Sequence, residues 1–468
     1  MMSQHNHSDY TICWFRLTGT ELIVYTVISF LAVLISYDRW KRRRFVLLAD
    51  KLNGPKDYPI IGSALDFIGT PKQIYEHFTK LRDKYNHDLF KVWLGSSLYV
   101  VIRKPEDIQI ILNSSNALKK GFIYKFLGKV LGKGLIIAPE TTMDYNLDIQ
   151  SDIGSEFMIN GTKALELMSN RALTVWLYPD IIYFMYCKIF GLENAYKLTK
   201  KLPRLMTEKK KNEYAHNAID KNTIETSEND DKKKRSKALV DLLLETNKVG
   251  GNLSNEDIID EVLTIIGAGY ETTTSTVGFC ILLLAIDSDI QERVYDEIHS
   301  VLGDGNETIT IEHTTKLVYM KQVINETLRL FPIAPLMLRE LQADVTIISG
   351  NHTLPKGTAC VISPMVTHFI PELYSNPELF NPDNFNADNV AKRHKYSFIP
   401  FSGGPRSCIG MKYALLNITV LLTQILRNFS VHTDLKFSDI KLKFNLTIKS
   451  VNGYPVTIRP RNSALVTS

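Results

Sequence analysis

The chain has 468 residues, 44% of them hydrophobic and 22% charged, with a net charge of +5. That length allows two or three domains or one large one, and the composition can bury a sizeable core, which argues against a disordered chain. The small basic excess sits partly in two local clusters, residues 39–44 and 232–237, so nothing in the charge calls for nucleic acid.

Near the N-terminus, residues 22–37 form an uncharged apolar run. It is slightly short of the ~20 residues of a spanning helix. Arg39, Lys41, Arg42, Arg43 and Arg44 follow it, and only Arg16 precedes it, which places its C-terminal side in the cytosol. The alternative is a cleaved signal peptide, but such a peptide wants a basic region before the apolar core and a small-residue cleavage site after it. Residues 1–21 are therefore expected to be a short lumenal tail and 22–37 a signal anchor. Residues 38–62, basic and then rich in proline and glycine, read as a linker, because proline fixes φ and glycine permits tight turns.

The body is expected over 63–462, with a tail at 463–468. Its pattern is mostly helical with short strand-like runs, so the fold class is mainly α with small β-sheets (α+β). Residues 89–101 read as a hairpin around Gly95-Ser96. The stretch 206–237 is charge-rich without hydrophobic periodicity and reads as a mobile surface loop. At Ser254 and Asp257 a capping box opens a long helix that runs to about Ile286, apolar enough to be buried along most of its length. Near the C-terminus, residues 443–451 and 455–459 flank Asn452-Gly453 and read as a second hairpin.

Five cysteines (Cys13, Cys187, Cys280, Cys360 and Cys408) stand without CxxC pairs, which argues against a disulfide framework and for a reducing compartment. Cys408 is the unusual one. Phe401-Ser402-Gly403-Gly404-Pro405-Arg406-Ser407-Cys408-Ile409-Gly410 is a glycine-bearing loop delivering a cysteine to a helix start. Backbone N–H groups and the helix dipole there favour a thiolate. Gly404 permits the tight loop, Gly410 lets the helix approach a flat ligand, and Arg406 can reach an acid on that ligand's rim.

The string matches F-x-x-G-x-R-x-C-x-G at every fixed position and resembles the haem-binding loop of the cytochrome P-450 family. Three further strings occur in the family's order: Ala268-Gly269-Tyr270-Glu271-Thr272-Thr273, Glu326-Thr327-Leu328-Arg329, and Phe380-Asn381-Pro382-Asp383-Asn384-Phe385. The resemblance covers roughly 51–462 and is closest to the microsomal, insect branch related to the fatty-acid hydroxylases. It implies the cytochrome P-450 fold and non-covalent haem b on an axial Cys408 thiolate. Phe401, Gly404, Arg406, Gly410, Arg339 and Ala268 would line the haem. Thr272 would stand at the oxygen-activating position, with Glu271 relaying protons. It further implies O2 and an apolar small molecule as substrates, electrons from NADPH-cytochrome reductase with cytochrome b5 as a second donor, and a single-pass protein of the endoplasmic reticulum membrane facing the cytosol. Substrate contacts would come from 122–131, 265–273, 333–337 and 448–451.

The chain departs from the family in three places. Asn384 stands where many members have an arginine completing the Glu326–Arg329 network, so a weaker network is expected. Ala268 replaces the glutamate that related hydroxylases esterify to haem. After Pro139 the family continues into a helix bearing W-x-x-x-R, and then another; here Glu140 follows at once. The tryptophans are Trp14, Trp40, Trp93 and Trp176, and only Trp40, in the juxtamembrane cluster, has an arginine four residues on. Most of two helices is expected to be missing. The competing readings are a truncated, inactive member unable to hold haem and a haem-binding protein that does not oxygenate.

Overall fold

The computed structural model describes residues 18–58, 60–85, 89–126, 152–192, 198–223, 239–248, 252–303 and 307–461. They fall into two units, one ending at Lys51 and one beginning at Leu52.

The first unit is α1 (Gly19–Lys41) and α2 (Arg43–Ala49). Helix α1 outruns the apolar stretch because Thr18 and Glu21 cap it: the Thr18 N–H donates to the Glu21 carboxylate at 2.8 Å. Arg39 and Lys41 in the last turn complement the helix dipole. At ~1.5 Å per residue the helix is roughly 34 Å long, enough for a hydrocarbon core of ~30 Å.

The second unit opens on 52–62, the proline- and glycine-bearing part of the expected linker. These residues lace onto β1 (Phe90–Leu94) and the turn after it: the Lys91 N–H donates to the Asn53 carbonyl at 2.7 Å and the Gly95 N–H to that of Ile61 at 3.0 Å. Gly62, at φ +64°, approaches the chain so closely that a Cβ there would sit 2.3 Å from the Trp93 carbonyl. The expected first hairpin is present: β1 pairs with β2 (Ser97–Ile102) across Gly95. With β3 (Met337–Glu340) and β6 (Ala359–Ile362) it makes a four-stranded sheet of order β1-β2-β6-β3, in which β2 and β6 run parallel. Strands β4 (Val345–Thr346) and β5 (Thr353–Leu354) pair separately.

The remainder is helical, as the composition of the body implies. In order come α3 (Pro71–Lys84), α4 (Pro105–Asn113), α5 (Asp152–Leu173), α6 (Asp180–Ile189), α7 (Lys201–Thr223) and α8 (Leu239–Lys248). They are followed by α9 (Asn255–Ile286), α10 (Ser288–Leu302), α11 (Ile311–Lys316), α12 (Val318–Leu330), α13 (Pro364–Thr367), α14 (Ala387–Lys392) and α15 (Met411–Asn428). Helix α9 begins at Ser254, whose hydroxyl accepts from the Asp257 N–H while the Asp257 carboxylate accepts from the Ser254 N–H. Only Asn255, Glu256, Gly269 and Thr274 along it are exposed. Phe279, Cys280, Leu283 and Leu284 of α9 pack with Val323 and Ile324 of α12 and with Ile418 and Leu422 of α15, so the central helix and the helix after the cysteine loop share one core.

Two expectations fail. Residues 206–223 belong to α7 and not to a loop. Its first turns bury Met206 and Thr207 and tie to α9 through Arg204–Glu256 at 2.7 Å, with Lys200 just before the helix paired to Asp260 at 2.6 Å, so tertiary contact replaces the missing periodicity. Residues 224–237, the rest of that expected loop, lie outside the described residues, as does the junction after Pro139. The C-terminal hairpin also turns elsewhere. β8 (Leu442–Asn445) pairs with β9 (Thr447–Ser450) across Leu446, and β10 (Thr457–Pro460) pairs with β7 (Phe429–His432). Turning at Leu446 sets Phe444 opposite Ile448 with both buried, which outweighs the local turn preference of Asn452-Gly453.

Candidate functional site

The cysteine loop precedes α15 and is shaped by two left-handed residues, Ser402 (φ +63°) and Gly404 (φ +67°). A Cβ on Gly404 would lie 2.2 Å from the Leu112 carbonyl, so α4 presses the loop where only glycine fits. The Cys408 N–H donates to the Phe401 carbonyl at 2.9 Å, and the Ser407 N–H to that of Gly404 at 3.1 Å. These bonds close the loop and turn Cys408 outward, where its side chain is exposed. Enough protein still surrounds the sulfur that desolvation raises its pKa, against the pull of the Gly410 and Met411 N–H groups.

Gly410 behaves differently from Gly404. Among the described residues, a Cβ there would meet only the Cys408 sulfur, at 3.9 Å. Around the loop stand cations. Arg339 on β3 is 3% exposed and reaches the Ser402 hydroxyl at 3.3 Å and the Arg406 carbonyl at 3.5 Å. Among the described residues, neither Arg339 nor Arg406 has a carboxylate within ion-pair distance. Burial, with Arg406 and Arg339 nearby, pushes Lys120 down to about 8, and its amine lies over the Tyr124 ring. Arg339 against the cysteine loop, Arg406 within it and Lys120 near both suit the acid groups of a flat dianion held by the Cys408 sulfur, so the residues present fit haem.

On α9, the Thr272 hydroxyl donates to the Ala268 carbonyl at 2.7 Å, and among the described residues nothing outside the helix's own turn stands within 4 Å of a Cβ built on Gly269. Glu271 is buried and points to β9, where its Oε1 accepts from the Thr447 hydroxyl at 2.6 Å and pairs with the Lys449 amine at 2.9 Å. Glu326 and Arg329 are fully buried and joined by two bonds, at 2.7 and 2.8 Å. The arginine also donates to the carbonyls of His368, Pro377 and Leu379. Asn384 donates to both Glu326 oxygens, and its own carbonyl accepts from Arg393, whose guanidinium stacks on Tyr374 at 4.4 Å.

The fold thus brings together Phe401 with Cys408, and Arg339 with Arg406, and sets Thr272 over Ala268. Sequence reasoning missed Lys120, Thr447, Arg393 and His368, and placed Lys449 only within a stretch expected to meet substrate. Thr447 and Lys449, two apart on one strand face, carried the only signal available in advance. A groove of about 410 Å³ between Phe67, Ile74, Leu173, Trp176, Tyr186 and Phe190 shares no residue with this constellation.

The sequence profile of the cytochrome P-450 family matches residues 52–146 and 140–454. Cytochrome P-450 4g1 of Drosophila melanogaster is 30% identical over 537 positions, with 96% of each chain covered. Cytochrome P-450 4g15 of the same organism is 28% identical over 545 positions, covering 91% of this chain and 95% of its own. Human (Homo sapiens) cytochrome P-450 4V2 is 28% identical over 512 positions, covering 93% and 94%. Each aligned length exceeds the 468 residues here, so each relative carries residues without a counterpart in this chain. With its body matched almost end to end, the chain belongs to the cytochrome P-450 family and is a haem b monooxygenase, bound through a cysteine thiolate, of the branch that includes the fatty-acid hydroxylases.

Proposed function

We propose that the protein inserts one oxygen atom of O2 into an apolar small molecule, a fatty acid, terpenoid or xenobiotic, at the endoplasmic reticulum membrane. NADPH-cytochrome reductase, assisted by cytochrome b5, would supply the electrons. The observation that carries this reading is the cysteine loop, in which two left-handed residues and the Phe401–Cys408 bond turn the thiol outward beside Gly410.

When bound, the haem supplies the oxygen chemistry, with thiolate donation favouring O–O cleavage. The protein's residues do the rest. Cys408 would hold the iron, and Arg339 and Arg406 would neutralise the acid groups of the rim, while Phe401, Gly404, Gly410 and Ala268 would shape the surface around it. Ala268 offers no carboxylate for an ester, so the haem is non-covalent. Glu271 takes up a proton, and the Thr272 hydroxyl orients it toward the site. Ile448 and Ile333, both in regions expected to meet substrate, are joined by an N–H to carbonyl bond of 3.0 Å, which supports one apolar wall built from two distant segments.

The membrane location is supported by α1 with its flanking basic residues, and separately by α6, whose Ile181, Phe184, Met185 and Ile189 are exposed. We also propose that a segment covering one face of the haem is absent after Pro139. The two-piece profile match meeting at 140–146, and the longer aligned lengths, support it.

The test is a reduced, carbon-monoxide difference spectrum of the full chain in membranes. The red-shifted Soret band of thiolate ligation is the expected result, lost in Cys408→Ser. A blue-shifted band or no haem band would overturn the reading and favour a truncated form without the chemistry.

A further inference from the structure

Asn-x-Ser/Thr, with any residue but proline in the middle, is the acceptor string for an N-linked glycan, a bulky hydrophilic group added on the lumenal side of the endoplasmic reticulum. Such strings recur in the body, where the fold has no room for their product. Asn445 of Asn445-Leu446-Thr447 is 2% exposed, and the side-chain nitrogen that a glycan would occupy donates to Glu166 at 2.7 Å. In Asn325-Glu326-Thr327 the Thr327 hydroxyl is buried and donates to the Val323 carbonyl at 2.8 Å, next to the fully buried Glu326. Glycans are attached to the emerging chain, before folding can hide an acceptor. A body made in the lumen would be offered glycans where β8 and α12 must pack. Their burial supports a body kept on the cytosolic side.

Ahead of α1 stands one further string, Asn6-His7-Ser8. It lies outside the described residues; what the structure supplies is the point where the membrane helix begins, with Thr18 and Glu21 capping α1 at Gly19. The residues between Asn6 and Gly19 can extend to roughly 40 Å. The polar layer on each face of a bilayer is only about 5–8 Å deep. An acceptor at Asn6 is therefore far enough from α1 to clear the headgroups.

We propose that Asn6 carries an N-linked oligosaccharide, on the reading that α1 is the membrane anchor and the body faces the cytosol. The donor is an oligosaccharide linked through diphosphate to a lipid of the same membrane. A bond forms between Asn6 Nδ2 and C1 of the first sugar, the bond from C1 to the diphosphate oxygen breaks, the amide releases one proton, and the lipid diphosphate leaves. Ser8 supplies the hydroxyl by which the acceptor is recognised. The glycan has a mechanical consequence. Five cations at 39–44 secure the cytosolic end of α1, whereas Arg16 is the only lysine or arginine before it. A group that cannot enter hydrocarbon holds the weaker end in place.

The test expresses the full chain in eukaryotic cells with an epitope on its N-terminus, as the parent, Asn6→Gln and Ser8→Ala. The parent should run as a slower band that peptide N-glycosidase shifts to the position of both variants. Mass spectrometry of the N-terminal peptide should find the Asn6 amide converted to an acid by the same enzyme. An unshifted parent band, with the epitope protected from protease in sealed microsomes, overturns the proposal while the orientation stands. An unshifted band with an epitope that is absent or digested overturns the anchor reading as well. A glycosidase-sensitive band that persists in Asn6→Gln puts an acceptor of the body in the lumen and overturns both.

Discussion

Asn384 spans both carboxylate oxygens of Glu326, at 3.2 and 3.3 Å, from a position where an arginine would have brought a second charge. The charge is supplied instead one step outward by Arg393, bonded to the Asn384 carbonyl. Removing Glu326 leaves Arg329 buried without its counter-charge, and Glu326→Ala should cost about 3–5 kcal/mol. Asn384→Ala removes neutral donors and should cost about 1–2 kcal/mol. Urea unfolding followed by circular dichroism checks the order of the two.

His368 should make the fold acid-sensitive. It is fully buried, accepts from the Ile399 N–H at Nε2 and faces the Arg329 carbonyl with Nδ1, and burial beside Arg329 pushes its pKa down to about 3. The unfolded chain protonates the ring near the ordinary value of 6.5. Between the two values the unfolded state holds the extra proton, so stability falls as pH falls, by about 1.4 kcal/mol per unit from this residue. His368→Gln should flatten the dependence of unfolding free energy on pH between 6 and 4 by about one proton.

The two loop glycines should fail in different ways. Gly404→Ala drives a Cβ into the Leu112 carbonyl at a left-handed φ and should destabilise even haem-free protein, by about 1–3 kcal/mol. A Cβ on Gly410 meets, among the described residues, only the sulfur at 3.9 Å, so Gly410→Val should leave the haem-free fold intact and lower haem occupancy. Thermal melts paired with haem titration separate them.

Removing residues 1–51 should not fully release the protein from lipid. Ile181, Phe184 and Ile189 are 76, 59 and 74% exposed on α6. Replacing all three by Ser in the shortened chain should abolish vesicle flotation while the shortened parent still floats, since each buried apolar side chain contributes about 1.5–3 kcal/mol.

What could be read in advance was local. The start of α9 is a reciprocal bond between Ser254 and Asp257, three residues apart, and the first hairpin turns on Gly95, so short strings were enough. The cysteine loop was legible for the same reason. What escaped depends on distant partners. Helix α7 needs Asp260 and Glu256 of α9 to hold it, β9 exists because Phe444 and Ile448 bury together, and Lys120 acquires its setting only when β3 brings Arg339 beside it. Lys449 looked like part of a substrate wall until the hairpin turned at Leu446 and set it against Glu271.

The parallel pairing of β2 with β6 joins Val100 to Cys360. A ribosome adding ~5–20 residues per second needs roughly 13–50 seconds to supply the second strand. Through that interval β2 has only β1 beside it, and its other edge, flanked by buried-type side chains such as Val101 and Ile102, has no partner to accept its hydrogen bonds. The anchor helix has by then long since been synthesised. Biogenesis of this protein should accordingly depend on cytosolic chaperones that shield a nascent sheet edge, and slowing translation between residues 102 and 359 should lower its yield more than slowing it elsewhere.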